Sequence, residues 1–231
     1  MEGSRNVVKE NGNDWQARPS NMASADPAQL IIELRQEQRR LETEIAAVMK
    51  TTLPDAERLR ALVNSITEEE YNEFKSFAGP VNDQAELALG GACRIFGFNG
   101  VEKHQWEESG EHEETARKLV YFPVFKNKFT LQQLKENMLT YDCENTAQHI
   151  IKELSDLMDN EDYTLEKMSD ISPVCEALCA WGIWVKKTYR ASWAVRPLRF
   201  ELKTVLGKIC AVKNKSFVQY FLSREQVHSC K

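Results

Sequence analysis

Cys175 and Cys179 stand one helical turn apart, a spacing that can present two thiolates to one metal ion. A structural zinc needs two further ligands at comparable spacing. The other cysteines, Cys93, Cys143, Cys210 and Cys230, do not supply them, so buried thiols are the reading that remains. His104 and His112 occur among Glu107, Glu108, Glu111, Glu113 and Glu114. These groups could hold a cation, but they follow no helical period, and residues 98–114 read as a flexible acidic loop. No nucleophile is placed with a base, and the phosphate-cradling pattern GxxxxGK[ST] occurs nowhere. The expectation is a chain with no catalytic centre, no metal and no cofactor.

Charge placement says more than charge total. The chain of 231 residues carries a net charge of −5, which argues against a nucleic-acid binder. Residues 183–203 nevertheless hold Lys186, Lys187, Arg190, Arg196, Arg199 and Lys203 against a single acid, Glu201. A basic stretch on an acidic chain can steer the approach of an acidic partner, or can serve only as a solvated face. No run is long and apolar enough to span a membrane, and the first residues lack the apolar core of a secretory signal. Six irregularly spaced cysteines suit a reducing compartment, the cytoplasm or an organelle continuous with it.

The elements that must carry these residues are helices. Residues 1–26 are polar, without period, and read as disordered. Asp26-Pro27 then supplies a helix start, with aspartate as cap and proline at the first helical position. A heptad seam runs through Ile31, Leu34, Gln38, Leu41, Ile45, Val48, Thr52, Asp55, Leu59, Leu62 and Ile66, weakest at Thr52 and Asp55 beside Pro54. A second runs through Val195, Leu198, Leu202, Val205, Ile209 and Val212, fades at Ser216 and contains Gly207. Two seams separated by a domain-sized insert can pair antiparallel, with Ile66 near Val195 at the neck. Helical periods also mark 81–97, 115–140 (around an aromatic run that leaves 119–125 ambiguous) and 150–158. A last helix begins near Asp170 or Pro173 and is kinked at Pro197. Trp181, Trp184 and Trp193, with Leu178 and Val185, are assigned to core packing on this last helix. The class is all-α, a head of five or six helices inserted between two antiparallel coiled-coil arms. The expected bounds are 27–66 for the first arm, 67–194 for the head, 195–222 for the second arm and 223–231 for a tail.

Three stretches carry a family resemblance. VNSITEEEYNEFKSFAGPVNDQAELALGGACRIFG (63–97), LTYDCENTAQHIIKELSDLMDNEDYTLEKM (139–168) and VCEALCAWGIWVKKTYRASWAVRPLRFEL (174–202) resemble, in order and spacing, the dynein heavy-chain stalk and its microtubule-binding domain. Trp181 and Pro197 fall where that family brackets its closing helix. The resemblance covers roughly residues 55–206. Departures include a single proline at the Gly79-Pro80 junction, a longer acidic loop, Tyr189 one place late, and arms far shorter than a motor stalk. With no ATPase ring in this sequence, the likeness is to a truncated or divergent member, or to a fragment.

The resemblance implies microtubule binding without catalysis, tubulin as partner, other dynein subunits as further partners, and neither nucleic acid nor membrane. It implies a cytoplasmic, cytoskeletal location, the cilium or axoneme included. It also implies that 67–78 and 174–195 face tubulin, with Lys75, Lys186, Lys187 and Arg190 as contacts. In that family, sliding of one stalk helix along the other is thought to switch the head's affinity. The alternative is a coiled-coil structural or adaptor protein that keeps the fold and has lost tubulin binding.

Overall fold

The computed structural model describes residues 26–77, 82–105 and 116–228. The disorder expected for residues 1–25, the Gly79-Pro80 junction, the centre of the acidic loop at 106–115 and the last three residues of the tail lie outside them. In chain order the elements are α1 (Pro27–Lys50), α2 (Leu53–Ser65), α3 (Glu68–Ser76), α4 (Asp83–Phe96), β1 (Val101–Gln105), β2 (Ala116–Val120), α5 (Phe122–Phe125), α6 (Leu131–Thr140), α7 (Gln148–Met158), α8 (Leu165–Ser169) and α9 (Pro173–His228). Two compact units divide the chain, Glu37–Leu206 and a second built from the described parts of Met1–Gln36 and Gly207–Lys231.

Local chemistry sets the helix boundaries. Asp26 caps α1 by accepting from the backbone N–H of Ala28 at 3.1 Å. Thr67 with Glu70, and Thr130 with Gln133, form reciprocal capping boxes that fix the starts of α3 and α6. Asn82 caps α4 through the N–H of Gln84 at 2.9 Å. At the far end of α4, Gly97 adopts a left-handed φ of 74°, and the N–H of Phe98 returns to the carbonyl of Cys93. Ser172 Oγ accepts from the N–H of Cys175 where α9 opens on Pro173.

In the larger unit, α4 packs against α5, α7 and α8, and α2 packs against α6. Leu59, Val63, Tyr71, Ala88, Leu89, Phe125, Leu134, Met138, Leu154, Met168, Leu178 and Trp181 are almost wholly inaccessible and belong to one core. Trp181 is its largest member, with ring centroids 4.7 Å from Phe96 and 5.5 Å from Tyr141. Tyr163 fills a notch between two helices. A Cβ added at Gly182 on α9 would lie 2.5 Å from its hydroxyl oxygen, and one added at Gly91 on α4 would lie 3.0 Å away. Neither place can take a side chain without displacing that ring.

The two seams are real. Leu41, Thr52, Leu59 and Ile66 are buried, and the other seven positions of the first are half-buried. The polar break at Thr52 is satisfied locally, its hydroxyl donating to the carbonyl of Met49 at 2.8 Å. There α1 stops and α2 begins, with Pro54 in its first turn. Val195, Val205 and Ile209 are buried in the second seam, and Leu198, Leu202 and Val212 are half-buried. Within the larger unit α2 and α9 run antiparallel: Lys187 Nζ meets Asp55 at 2.9 Å, and Arg58 approaches Glu176 at 3.9 Å. That register separates Ile66 from Val195, contrary to the expected neck. Ile66 lies eleven residues beyond Asp55 and Val195 eight beyond Lys187, in opposite directions, so the two diverge by about 28 Å along the axis.

Two further expectations are corrected. The expected succession of acidic loop (98–114) and helix (from 115) gives way to two strands: β1 and β2 pair antiparallel with Val101 opposite Val120 and Gln105 opposite Ala116. Their sequences, VEKHQ and ARKLV, show no apolar alternation, since this two-stranded ribbon leaves Val101 and Leu119 exposed. It adds to a helical head whose helices exceed the expected five or six only through the short α5 and α8. At the other end the helix does not stop where the heptad fades: α9 passes Pro197 and Ser216 and continues to His228.

Gly207 lies inside α9, exposed, and a Cβ there would meet nothing within 4 Å. Gly207→Ala is therefore expected to stabilise the helix by about 0.5–1 kcal/mol through its lower backbone entropy in the unfolded chain. A higher urea midpoint with unchanged slope is the expected reading. A lower midpoint would show that the position needs to lack a side chain.

Candidate functional site

The four candidate cations do not form one patch. Lys75, at the end of α3, is half-buried, its Nζ 3.4 Å from the carbonyl of Phe129 and 5.2 Å from the ring centre of Tyr71. Tyr71 reaches the same carbonyl at 2.9 Å, so Lys75 completes a clasp between α3 and the turn before α6. Lys187 faces the arm and holds Asp55 through both carboxylate oxygens. Lys186 and Arg190 do come together, four residues apart on one face of α9. The Lys186 ammonium is held below its usual value by burial and then by the neighbouring Arg190 charge, with Asp159, which follows α7, and Asp156 within it offsetting part of this. Neither cation has an ion-pair partner among the described residues.

Farther along α9 the basic stretch divides by partner. Arg199 forks onto Glu144, which lies in the short 3-10 turn Cys143–Asn145 after α6, one of its two contacts being 3.0 Å. The Arg199 guanidinium bonded to it holds the Glu144 carboxyl below the usual carboxylate range. Arg196 lies 4.2 Å from the ring centre of Trp193 and adds to the positive charge acting on Glu144. Trp193 was expected in the core; it is 54% exposed and stacks on Tyr189 at 6.2 Å. The physical reason is phase. Tyr189, Trp193, Arg196 and Phe200 repeat at helical spacing, about 200° around the helix from the seam positions Val195, Leu198 and Leu202. This stripe was missed because each tryptophan was judged by type alone. Setting it against the seam's phase would have found it.

The α3 face is acidic. Glu68, Glu69 and Glu73 are exposed there, and Lys75, the basic residue of this helix, is already engaged. The cysteines behave as core thiols. Burial pushes Cys93, Cys143 and Cys179 up to about 12 and Cys175 up to about 11, whereas Cys210 is exposed. Among the described residues no three of His, Cys, Asp and Glu are grouped to hold a metal ion, and no helix is long and apolar enough to cross a membrane.

No protein-family model matches the chain. It is 22% identical over 194 residues to dynein axonemal heavy chain 3 of Mus musculus, an alignment covering 80% of this chain and 5% of that protein. The chain thus spans about 5% of the length of the curated relative it matches. Among solved structures, the microtubule-binding domain of dynein-c shares the fold with a TM-score of 0.50. That match has 15% identity and covers 66% of this chain and 94% of that one. The chain is dynein-stalk-like in its predominantly helical fold.

Proposed function

We propose that the chain binds microtubules through its helical head, without catalysis, and that Lys186 and Arg190 on α9 make the decisive contact. The observation that carries this reading is the pairing of two cations on one face, with no ion-pair partner among the described residues. Two such charges repel each other, and a carboxylate-rich surface laid over them would relieve that repulsion while gaining attraction. The likeness to a dynein microtubule-binding domain supplies the partner, tubulin. Other dynein subunits as further partners, and the cytoskeleton or axoneme as the place of action, belong to the same proposal, supported by the partial likeness to an axonemal dynein heavy chain. Lys75 and Lys187, the other two candidates, do not share that face and enter the proposal only as secondary contacts, since each is held by a group of its own head or arm.

Lys186→Glu with Arg190→Glu is expected to lower microtubule affinity at least tenfold in co-sedimentation, about 1.4 kcal/mol or more, with helix content unchanged. Lys187 is left intact, because a glutamate there would face Asp55 and damage the arm instead. Wild-type binding should weaken between low and high salt. Equal pelleting of a folded double variant would remove this face from the contact.

The second reading, an adaptor that keeps the fold without binding tubulin, is favoured by the acidic α3 face, which would be repelled by an acidic track. Absence of wild-type pelleting even at low salt would decide for it.

A further inference from the structure

We infer that the outer face of α9 between Tyr189 and Phe200 docks an acidic amphipathic helix of a partner protein. Trp193 is 54% and Phe200 73% exposed, although both sit on a helix whose opposite face is packed. The spacing from Tyr189 through Trp193 and Arg196 to Phe200 covers eleven residues, about 16 Å or three helical turns. This is the length of ridge that one partner helix covers by laying apolar side chains along it. Tryptophan, tyrosine and arginine are the side chains that dominate interface energies when desolvated. Tyr189 is half-buried against the core and Arg196 sits over the Trp193 ring at 4.2 Å, contacts that favour ordered anchors before any partner arrives.

Charge identifies the partner. By helical phase Lys186, Arg190 and Lys203 flank the stripe, and Glu201 lies about 100° away from Phe200. Glu144 offsets part of the Arg196 charge, and Asp156 and Asp159 part of the Lys186 charge, so the flank stays basic chiefly through Arg190 and Lys203. A facing helix must therefore carry Glu or Asp beside its apolar row. A second copy of this chain paired on the same face by a two-fold axis would set like charge against like, which excludes that arrangement. A bilayer is disfavoured because the seam side of α9 is already packed, leaving two exposed aromatic rings too few to embed the helix. The inference shares Lys186 and Arg190 with the tubulin reading but rests on the aromatic stripe, which that reading does not use.

The test uses the full chain and a fluorescent three-turn helical peptide with leucine along one face and glutamate on both sides of it. Anisotropy should show binding that weakens with salt and is lost when lysine replaces the glutamates. Trp193→Ala with Phe200→Ala should weaken it at least tenfold, and Trp193→Phe should retain most of it. Both truncated side chains are exposed, so the fold should survive, and circular dichroism checks this. The inference is overturned if the wild-type chain does not bind the peptide, or if the lysine peptide binds equally. Binding unaffected by the double truncation overturns it as well. So does sedimentation showing self-association lost in that variant, or vesicles of anionic lipid binding in its place. Loss of microtubule pelleting on the same truncation would assign the stripe to the track and overturn it too.

Discussion

Replacing Trp181 by alanine is expected to destabilise the larger unit by about 3–5 kcal/mol, a large fraction of the stability of an ordinary domain. The indole is fully inaccessible and is held by Phe96 from α4 and by Tyr141 after α6. Removing it leaves a cavity where three elements meet, and none of them can close it without giving up its own contacts. Its indole N–H has no hydrogen-bond partner among the described residues, so deletion removes no protein hydrogen bond seen there and places the cost below that of a fully bonded tryptophan. Urea unfolding followed by circular dichroism measures the loss. A change below about 1 kcal/mol would mean that the core repacks freely around α9.

The second large effect is expected at Glu86. This carboxylate is buried on α4 and accepts the backbone N–H of Tyr121 at 2.6 Å and, more weakly, that of Phe122 at 3.4 Å. These donors lie where β2 ends and α5 begins, so a side chain from another element satisfies a backbone corner that neither strand nor helix can serve. Glu86→Ala should leave them orphaned in the interior and cost about 2–4 kcal/mol. Glu86→Gln keeps one acceptor oxygen and should recover much of that. Amide exchange at Tyr121 and Phe122 should accelerate in the alanine variant before exchange in α4 does. Equal acceleration throughout would show global loss instead of release of the hairpin.

How far these features could be foreseen depends on the period behind them. The seams were legible because burial follows the 3–4 spacing of Leu41, Leu59, Val195 and Val205, and the capping at Asp26 because aspartate before proline has few other uses. The hairpin was not, since a ribbon with polar residues on both faces and a ten-residue connection has neither alternation nor a tight-turn signature. Pairing partners were illegible too. Nothing local to Lys187 points to Asp55, and nothing local to Arg199 points to Glu144; both are set by how α9 lies against distant elements. That is why a basic run that reads as one surface divides into an internal ion pair, a clasp on the head and an outward face.

Tyr163 and the two glycines that receive it give α9 the character of a keyed shaft. Gly182 is the position of α9 that admits the phenol, and one turn to either side stand Leu178 and Lys186, each with a Cβ and more beyond it. Creep of α9 past α4 by a fraction of a turn would drive a side chain into the ring, so the helix has a single detent in this part of the head. Any axial displacement of α9 must then either lift Tyr163 out of its notch or carry the ring and its neighbours along as one piece. A force on this helix would therefore meet a threshold and not a spring.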